Sequence, residues 1–349
     1  MKAAISYGRI LGVISCMLLL GNRLVAQDTL QVARESKYYK TYFQNLIGRV
    51  YVDRKYTSFR MKATDNTRDF KYRPNTSNGL GLGLTYRSLS VNLGYGFGFL
   101  FNDKAKGKTK AIDLQTRLYA SKWAIDCYIK FYRGYYISDE GHTLNGDLKP
   151  GNYYIRPDVK LRMYGASAYR MFNGKGFSLR PAFVQDVRQK KSGGSFLAGG
   201  EWYYMNFTSD SAFIPGKYVS SEYKSFSLIN MLQIGPGIGY AYTKILPRNL
   251  FATAYITGNM NVSLLHESKA SGQSLRIGLN NNLLYRLALG YDNGNYSVVG
   301  YLVNNRIGFK GTAYNYGVNA GNFRVMFAKR FKTTRAVKKY MNYFNILID

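Results

Sequence analysis

The sequence predicts an all-β protein, a transmembrane antiparallel up-and-down barrel of about twelve strands, with fourteen as the alternative. Three observations carry that expectation. Between Ala111 and Tyr136 apolar and polar residues alternate twice over, with only Ser121-Lys122 between the two runs. The N-terminus reads as an export signal. The chain holds 33 Tyr, 20 Phe and 36 Gly in 349 residues, with a mean hydropathy of -0.27. Such a composition cannot supply a long apolar core, but a barrel wall needs only every second residue to be apolar.

In the first alternating run Ile112, Leu114, Thr116, Leu118 and Ala120 share one face, against Asp113, Gln115, Arg117 and Tyr119. In the second, Trp123, Ile125, Cys127, Ile129 and Phe131 oppose Ala124, Asp126, Tyr128, Lys130 and Tyr132. A period of two is a strand period, and a tight polar link makes the pair a hairpin. An apolar face backed by a charged one suits lipid outside and water inside. On this reading an arginine at position 125 is costly and one at position 128 is cheap.

Lys2 and Arg9, the apolar stretch Ile10 to Leu20 and then Leu24-Val25-Ala26 predict cleavage after Ala26. An alternative is a lipoprotein box at Val13-Ile14-Ser15-Cys16, which would leave Cys16 lipidated. The domain order is then a signal at 1–26, a periplasmic lead-in at 27–46, the barrel at 47–331 and a basic, aromatic tail at 332–349. Cleavage leaves Cys127 as the sole cysteine, which excludes a disulfide framework. It also removes Lys2, Arg9 and Arg23, taking the net charge from +30 to +27. Export argues against nucleic acid as the anionic partner. Outer-membrane lipid and the phosphates of lipopolysaccharide fit the compartment, which is the cell outer membrane.

Strands are expected at Gly48 to Ala63, Leu80 to Tyr86 and Val91 to Phe99, and in the two runs above. Further strands are expected at Val159 to Phe172, Phe177 to Arg188, Phe196 to Phe207, Leu228 to Thr243, Phe251 to Leu264, Leu275 to Tyr291, Tyr296 to Phe309 and Tyr314 to Phe331. Asn173-Gly174-Lys175-Gly176, Pro247-Arg248-Asn249 and Asp292-Asn293-Gly294-Asn295 supply turn chemistry. Long connections fall at Ser138 to Tyr153, Thr208 to Lys224 and Glu267 to Gly272. The links on both sides of Phe196 to Phe207 exceed a turn, so either a strand near Tyr218 to Phe226 is missing or one assigned strand is not in the wall. Glycines at 81, 83, 94, 96 and 98 leave one face open to bulky neighbours. The alternating aromatics that end at Phe331 look like the signal read by barrel-assembly machinery, although a tail follows here.

Alternation places Asp113, Arg117, Asp126, Lys130, Arg162, Arg180, Asp186, Arg276, Arg286, Arg306 and Arg324 on the inner face, with Arg170, Arg188 and Glu201. One reading is a lumen closed by arginine–carboxylate pairs; another is a small anion-selective channel. His266 and Ser268 share a strand face, the spacing of a lipid hydrolase pair, which keeps a lipid A or phospholipid hydrolase as an alternative. His142 lies among acids in Ser138 to Asp147, where a calcium loop competes with a solvated loop. Two histidines cannot build a multi-imidazole metal site, and no cofactor is expected.

Tyr72-Arg73-Pro74-Asn75, Gly81-Leu82-Gly83-Leu84, Gly107-Lys108-Thr109-Lys110 before Leu114-Gln115, and Gly134-Tyr135-Tyr136 together resemble the family of unknown function 4421. Gln189 to Ser195 and Gly239-Tyr240-Ala241-Tyr242-Thr243 agree with it. The resemblance implies an outer-membrane-type barrel from Bacteroidota with no established activity, and it supplies no catalytic residues. The expectation is a monomeric, non-enzymatic barrel serving structure, surface binding or limited solute passage.

Overall fold

A computed structural model describes residues 37–66, 68–86, 89–96, 103–138, 153–214, 226–269, 272–311 and 313–333. The signal with Cys16, the loop residues 139–152 with His142, residues 218–225 of the possible extra strand and the tail after residue 333 lie outside them.

The strands are β1 (Tyr39–Thr41), β2 (Asn45–Ala63), β3 (Asp69–Arg73), β4 (Gly79–Tyr86), β5 (Leu89–Gly96), β6 (Lys110–Tyr119), β7 (Trp123–Ser138) and β8 (Tyr154–Met171). They continue with β9 (Val187–Gln189), β10 (Gly193–Thr208), β11 (Leu228–Ile245), β12 (Leu250–Lys269), β13 (Gly272–Asp292), β14 (Tyr296–Lys310) and β15 (Tyr314–Lys332), with one short helix, α1 (Arg180–Phe183), before β9. β2, β3, β7, β8 and β10 to β15 pair in succession, and β15 returns to β2 through Tyr314 to Lys332 against Ala63 to Asn45. That closes an antiparallel ring of ten strands with three extra strands attached. Closure pairs the first and last strands of the ring, which removes the edges they would otherwise present to hydrocarbon.

β2 starts and β15 stops at the same end, the terminus end. There β4 pairs with the first half of β2, Ile47 to Asp53, while β3 pairs with its last turn-proximal residues. Below β3 the sheet instead carries β4 and β5 on the β2 side and β6 on the β7 side. The closed ring therefore has ten strands, and thirteen with the three attached, where about twelve were expected.

The alternation produces an inverted molecule. Ile238, Leu275 and Leu289 face outward at 74%, 69% and 68% exposure, while Arg286, Lys130 and Asp126 are fully buried inside. Apolar outside and charged inside is stable only where the surrounding medium is lipid. The tight turns form as the sequence suggests: the side chain of Asn293 accepts from the backbone of Asn295 and Tyr296, both at 3.0 Å, and Asp292 accepts from Gly294 at 2.8 Å.

Two assignments need correction. Phe177 to Arg188 is no wall strand. It folds into the terminus end of the lumen as a plug, in which α1 leads to β9 and β9 pairs only with β1. Pro181 explains part of this, since it has no N–H to give a central ladder. The surplus connection before β10 is thereby explained, since β10 pairs directly with β8 and with β11. Glu267 to Gly272 is also no long loop, because β12 and β13 pair up to Lys269 and Gly272.

The glycine face of β4 and β5 has a definite use. A Cβ at Gly81 would fall inside the Tyr51 ring, and one at Gly94 would lie 2.9 Å from the Tyr51 hydroxyl. Tyr51 thus lies against glycine, with the Arg324 guanidinium 3.9 Å above its centroid. Gly81→Val is expected to eject Tyr51 and cost about 1–3 kcal/mol, the usual penalty for overpacking. Equilibrium unfolding of the refolded barrel checks this; an unchanged midpoint would mean that Tyr51 has another place to go.

Candidate functional site

The lumen is the candidate site, and it is filled in three layers. The middle layer holds the charges. β13 carries Arg286 inward between the rings of Tyr255 and Tyr119, 4.5 and 5.5 Å away, and its guanidinium donates to the Asp126 carboxylate and to the Tyr119 hydroxyl. Asp126, on β7, also has Arg117 Nε at 3.6 Å. Arg117 reaches across from β6 to Asn322 on β15 at 2.8 Å. Lys130 donates to Asp113 at 3.0 Å, and the Tyr132 hydroxyl adds a bond to the same carboxylate at 2.6 Å. On β2, Asp53 accepts from Arg324 at 2.6 Å. Buried charges persist when they are paired or fully hydrogen-bonded.

Among the described residues Glu201 meets no cation and is held by amides instead. Asn261 and Asn282 donate to its Oε1 at 3.0 and 2.6 Å, Tyr203 reaches Oε2 at 3.5 Å, and Asn282 also reaches Gln233 at 2.7 Å. Asn280 and Asn282 extend this set by accepting from the backbone of Lys310 and Gly308 at 2.9 and 3.0 Å. They thus join β13 to β14 above the last backbone pair at Leu283 and Arg306.

Above this layer the lumen is mainly aromatic and aliphatic, with Glu267 buried there and accepting from the Tyr316 hydroxyl. Phe59 stacks on Phe207 at 4.0 Å and lies parallel to Tyr316 at 6.0 Å, within a cluster that includes Met61, Tyr72, Met163, Met205 and Ile307. Phe213, Ile214 and Phe226 enter from the connection after β10 and are buried. Arg156 fixes that cap by donating to the carbonyls of Ala212 and Phe213 at 2.8 and 2.6 Å, while Asp158 pairs with Arg156 at 2.8 Å.

Below, the plug closes the terminus end. Phe177, Leu179, Ala182 and Phe183 are buried against Tyr119, Tyr255, Tyr301 and Met326. Arg180 pairs with Asp186 inside the plug and donates to the Tyr119 carbonyl at 2.7 Å. Arg49 of β2 holds the Val184 carbonyl at 2.7 Å. Arg330 of β15 donates to both oxygens of Asp292 at 2.7 Å and to the Gln185 carbonyl at 2.9 Å, and its guanidinium lies 4.1 Å from the Tyr42 ring centroid.

Among the residues expected in the lumen, Asp113, Arg117, Asp126, Lys130, Arg286 and Arg324 meet there. Arg180 and Asp186 also meet, but on the plug and with each other. Arg162, Arg170 and Arg306 are corrections: all three point outward and are exposed. Arg276 is exposed as well, on the part of β13 that runs past its pairing with β14. Arg188 sits half-buried at the rim of the plug and donates to Asn249 at 2.8 Å. Arg49, Asp53, Arg156, Arg330 and the asparagines were missed. Asn259-Met260-Asn261 and Asn280-Asn281-Asn282 were the available signal, since amides two apart on a strand share one face.

His266 and Ser268 do share a face, the outer one. The imidazole nitrogens face Asn230 at 3.2 Å and Gln273 at 3.3 Å, and Glu267 turns the opposite way, where it accepts from the Tyr316 hydroxyl inside the lumen. Among the described residues no group of three or more His, Cys, Asp or Glu could hold a metal ion.

Solved structures with a likeness to this chain include the outer membrane protease OmpT from Escherichia coli. It is 11% identical, with 84% of this chain and 98% of that chain covered and a TM-score of 0.36. The toluene transporter TodX from P. putida is 8% identical, with 83% and 91% covered and a TM-score of 0.28. The translocator domain of autotransporter NalP from Neisseria meningitidis is 8% identical, with 92% and 98% covered and a TM-score of 0.29. No curated protein matches. The model of the domain of unknown function DUF4421 matches residues 28–331, nearly the whole ring together with its plug, and the chain belongs to that family.

Proposed function

We propose that this protein is a non-enzymatic outer-membrane barrel that does not conduct through its lumen and acts through the surfaces at its two ends. The observation that supports this most is the pairing of the inner charges across the lumen, between an apolar layer above and a plug below. An anion path needs cations that face water. Arg286 and Lys130 face carboxylates and hydroxyls instead, and Arg117 donates to the amide oxygens of Gln115 and Asn322 beside Asp126. The terminus end is read as periplasmic, because the long connections after β7 and after β10 leave from the opposite end. On that orientation the outward Arg162 and Arg306, with the exposed Arg276, lie on the outer half, where lipopolysaccharide phosphates would meet them. The hydrolase alternative is not favoured, because the imidazole of His266 faces two amides and the neighbouring acid Glu267 lies on the other face.

Efflux from proteoliposomes loaded with a chloride-sensitive dye tests this reading. The expected result is leakage no faster than from empty vesicles, and no release of fatty acid from labelled phospholipid. Fast, protein-dependent chloride entry would replace it with the channel reading, and hydrolysis lost in Ser268→Ala would replace it with the enzyme reading.

A further inference from the structure

Two depressions meet at the terminus end. The first is an apolar groove of about 370 Å³ on the outer wall, where Leu246, Leu250, Leu289 and Val298 surround Gly300. Gly300 stands opposite Leu289, and a Cβ added to it would meet nothing nearer than Val325 at 4.0 Å, so the groove exists because this position has no side chain. The second is a cleft of about 450 Å³ between the plug and the turn that joins β11 to β12. The two share Leu246, Leu250 and Phe251.

The cleft is cationic. Lys40, Arg188, Lys190 and Arg248 line it, and its one carboxylate, Asp292, is already engaged by Arg330 on both oxygens at 2.7 Å. Its depth in the membrane is marked by aromatic rings. Tyr291 lies 5.8 Å from Tyr296, which is 6.0 Å from Phe327, and Phe196, Tyr240 and Tyr242 are exposed at the same end of β10 and β11. Such rings sit where acyl chains give way to headgroups. The groove therefore lies on the hydrocarbon side of that boundary and the cleft on the headgroup side.

A backbone observation points the same way. Arg248 and Asn249 have φ of 58° and 65°, the left-handed conformation that suits glycine or asparagine and disfavours arginine. A cation thus occupies a turn position where the backbone alone would select glycine. Non-glycine residues held there point to a use for the side chain.

We propose that the composite site holds one phospholipid with an anionic headgroup, its phosphate in the cleft against Arg188 and Arg248 and an acyl chain in the groove over Gly300. Arginine matches phosphate by paired N–H donors, and the neighbouring lysines add attraction without fixed geometry. The site depends on the barrel standing in a membrane and not on whether its lumen conducts.

Native mass spectrometry of the full mature chain, refolded in detergent and offered phosphatidylglycerol or phosphatidylcholine with the same acyl chains, tests the assignment. The expected result is retention of one phosphatidylglycerol in preference to phosphatidylcholine. Arg248→Gly should weaken retention about fivefold, the effect of removing one cation near a lipid surface, while its unfolding midpoint holds or rises. Arg188→Gln should weaken retention similarly, and Gly300→Leu, which fills the groove and leaves every cation, should do so too. Equal retention of the two lipids, or full retention in all three variants, would overturn the proposal. Displacement of phosphatidylglycerol by glycerol phosphate, with Gly300→Leu behaving as wild type, would also overturn it and assign the cleft to a soluble anion.

Discussion

Arg286→Ala is expected to destabilise the barrel by about 3–5 kcal/mol, the cost of leaving a buried carboxylate without its cation. Asp126 and Arg286 are both fully buried, and the nearest remaining cation, Arg117, stands 3.6 Å away while it is engaged with Gln115 and Asn322. The loss also removes the contacts that Arg286 makes between Tyr119 and Tyr255. The double variant Asp126→Asn with Arg286→Met should recover much of the stability, because it removes both charges and keeps the volume. Urea unfolding of the lipid-refolded protein measures both. A single-variant loss below about 1 kcal/mol would mean that water reaches Asp126, since solvated pairs contribute little.

Arg330→Ala is expected to release the plug. Arg330 is the point at which β15 holds both Asp292 and the backbone of residue 185, and the plug's other anchors from the wall include Arg49 on Val184 and the Tyr119 carbonyl on Arg180. The same buried-charge argument sets the size, about 3–5 kcal/mol, now from Asp292. Because the plug pairs with β1 and not with the ring, the loss should be local. Amide exchange should rise by orders of magnitude across residues 177–189 and stay near wild type in β7 and β8. Uniform loss of protection in plug and wall would show that they unfold as one unit.

The wall was legible because lipid demands an apolar side chain at every second outward position, whatever lies inside. That rule recovered β7 and β10 to β15 to within a few residues. It failed for Phe177 to Arg188 because a segment buried on every side carries no alternating constraint. Phe177, Leu179, Arg180, Ala182 and Phe183 are all buried. It failed for Arg162 and Arg306 for a different reason. Their strands run through the upper lumen, where Leu161, Met163, Ile307 and Phe309 are the inward residues, so the rule that polar residues face inward reverses there. Tyr128 belongs with this correction. It packs at 6.3 Å from Tyr203 inside the filled lumen, so an arginine in its place is not cheap. The charge pairs were legible only as a set of candidates. Lys130 with Asp113 follows from facing positions on one hairpin, whereas Asp53 with Arg324 joins residues 271 positions apart and needs the closed ring.

Single-channel recording of the wild-type protein in planar bilayers tests the central claim, a lumen closed by its own side chains, most directly. The prediction is a flat baseline in symmetrical chloride, for the wild type and for Arg330→Ala alike, because freeing the plug leaves the paired charges and the apolar layer above them in place. Large, stable, chloride-selective steps from the wild type would contradict it, because they would require an open path past Arg286, Arg117 and Lys130.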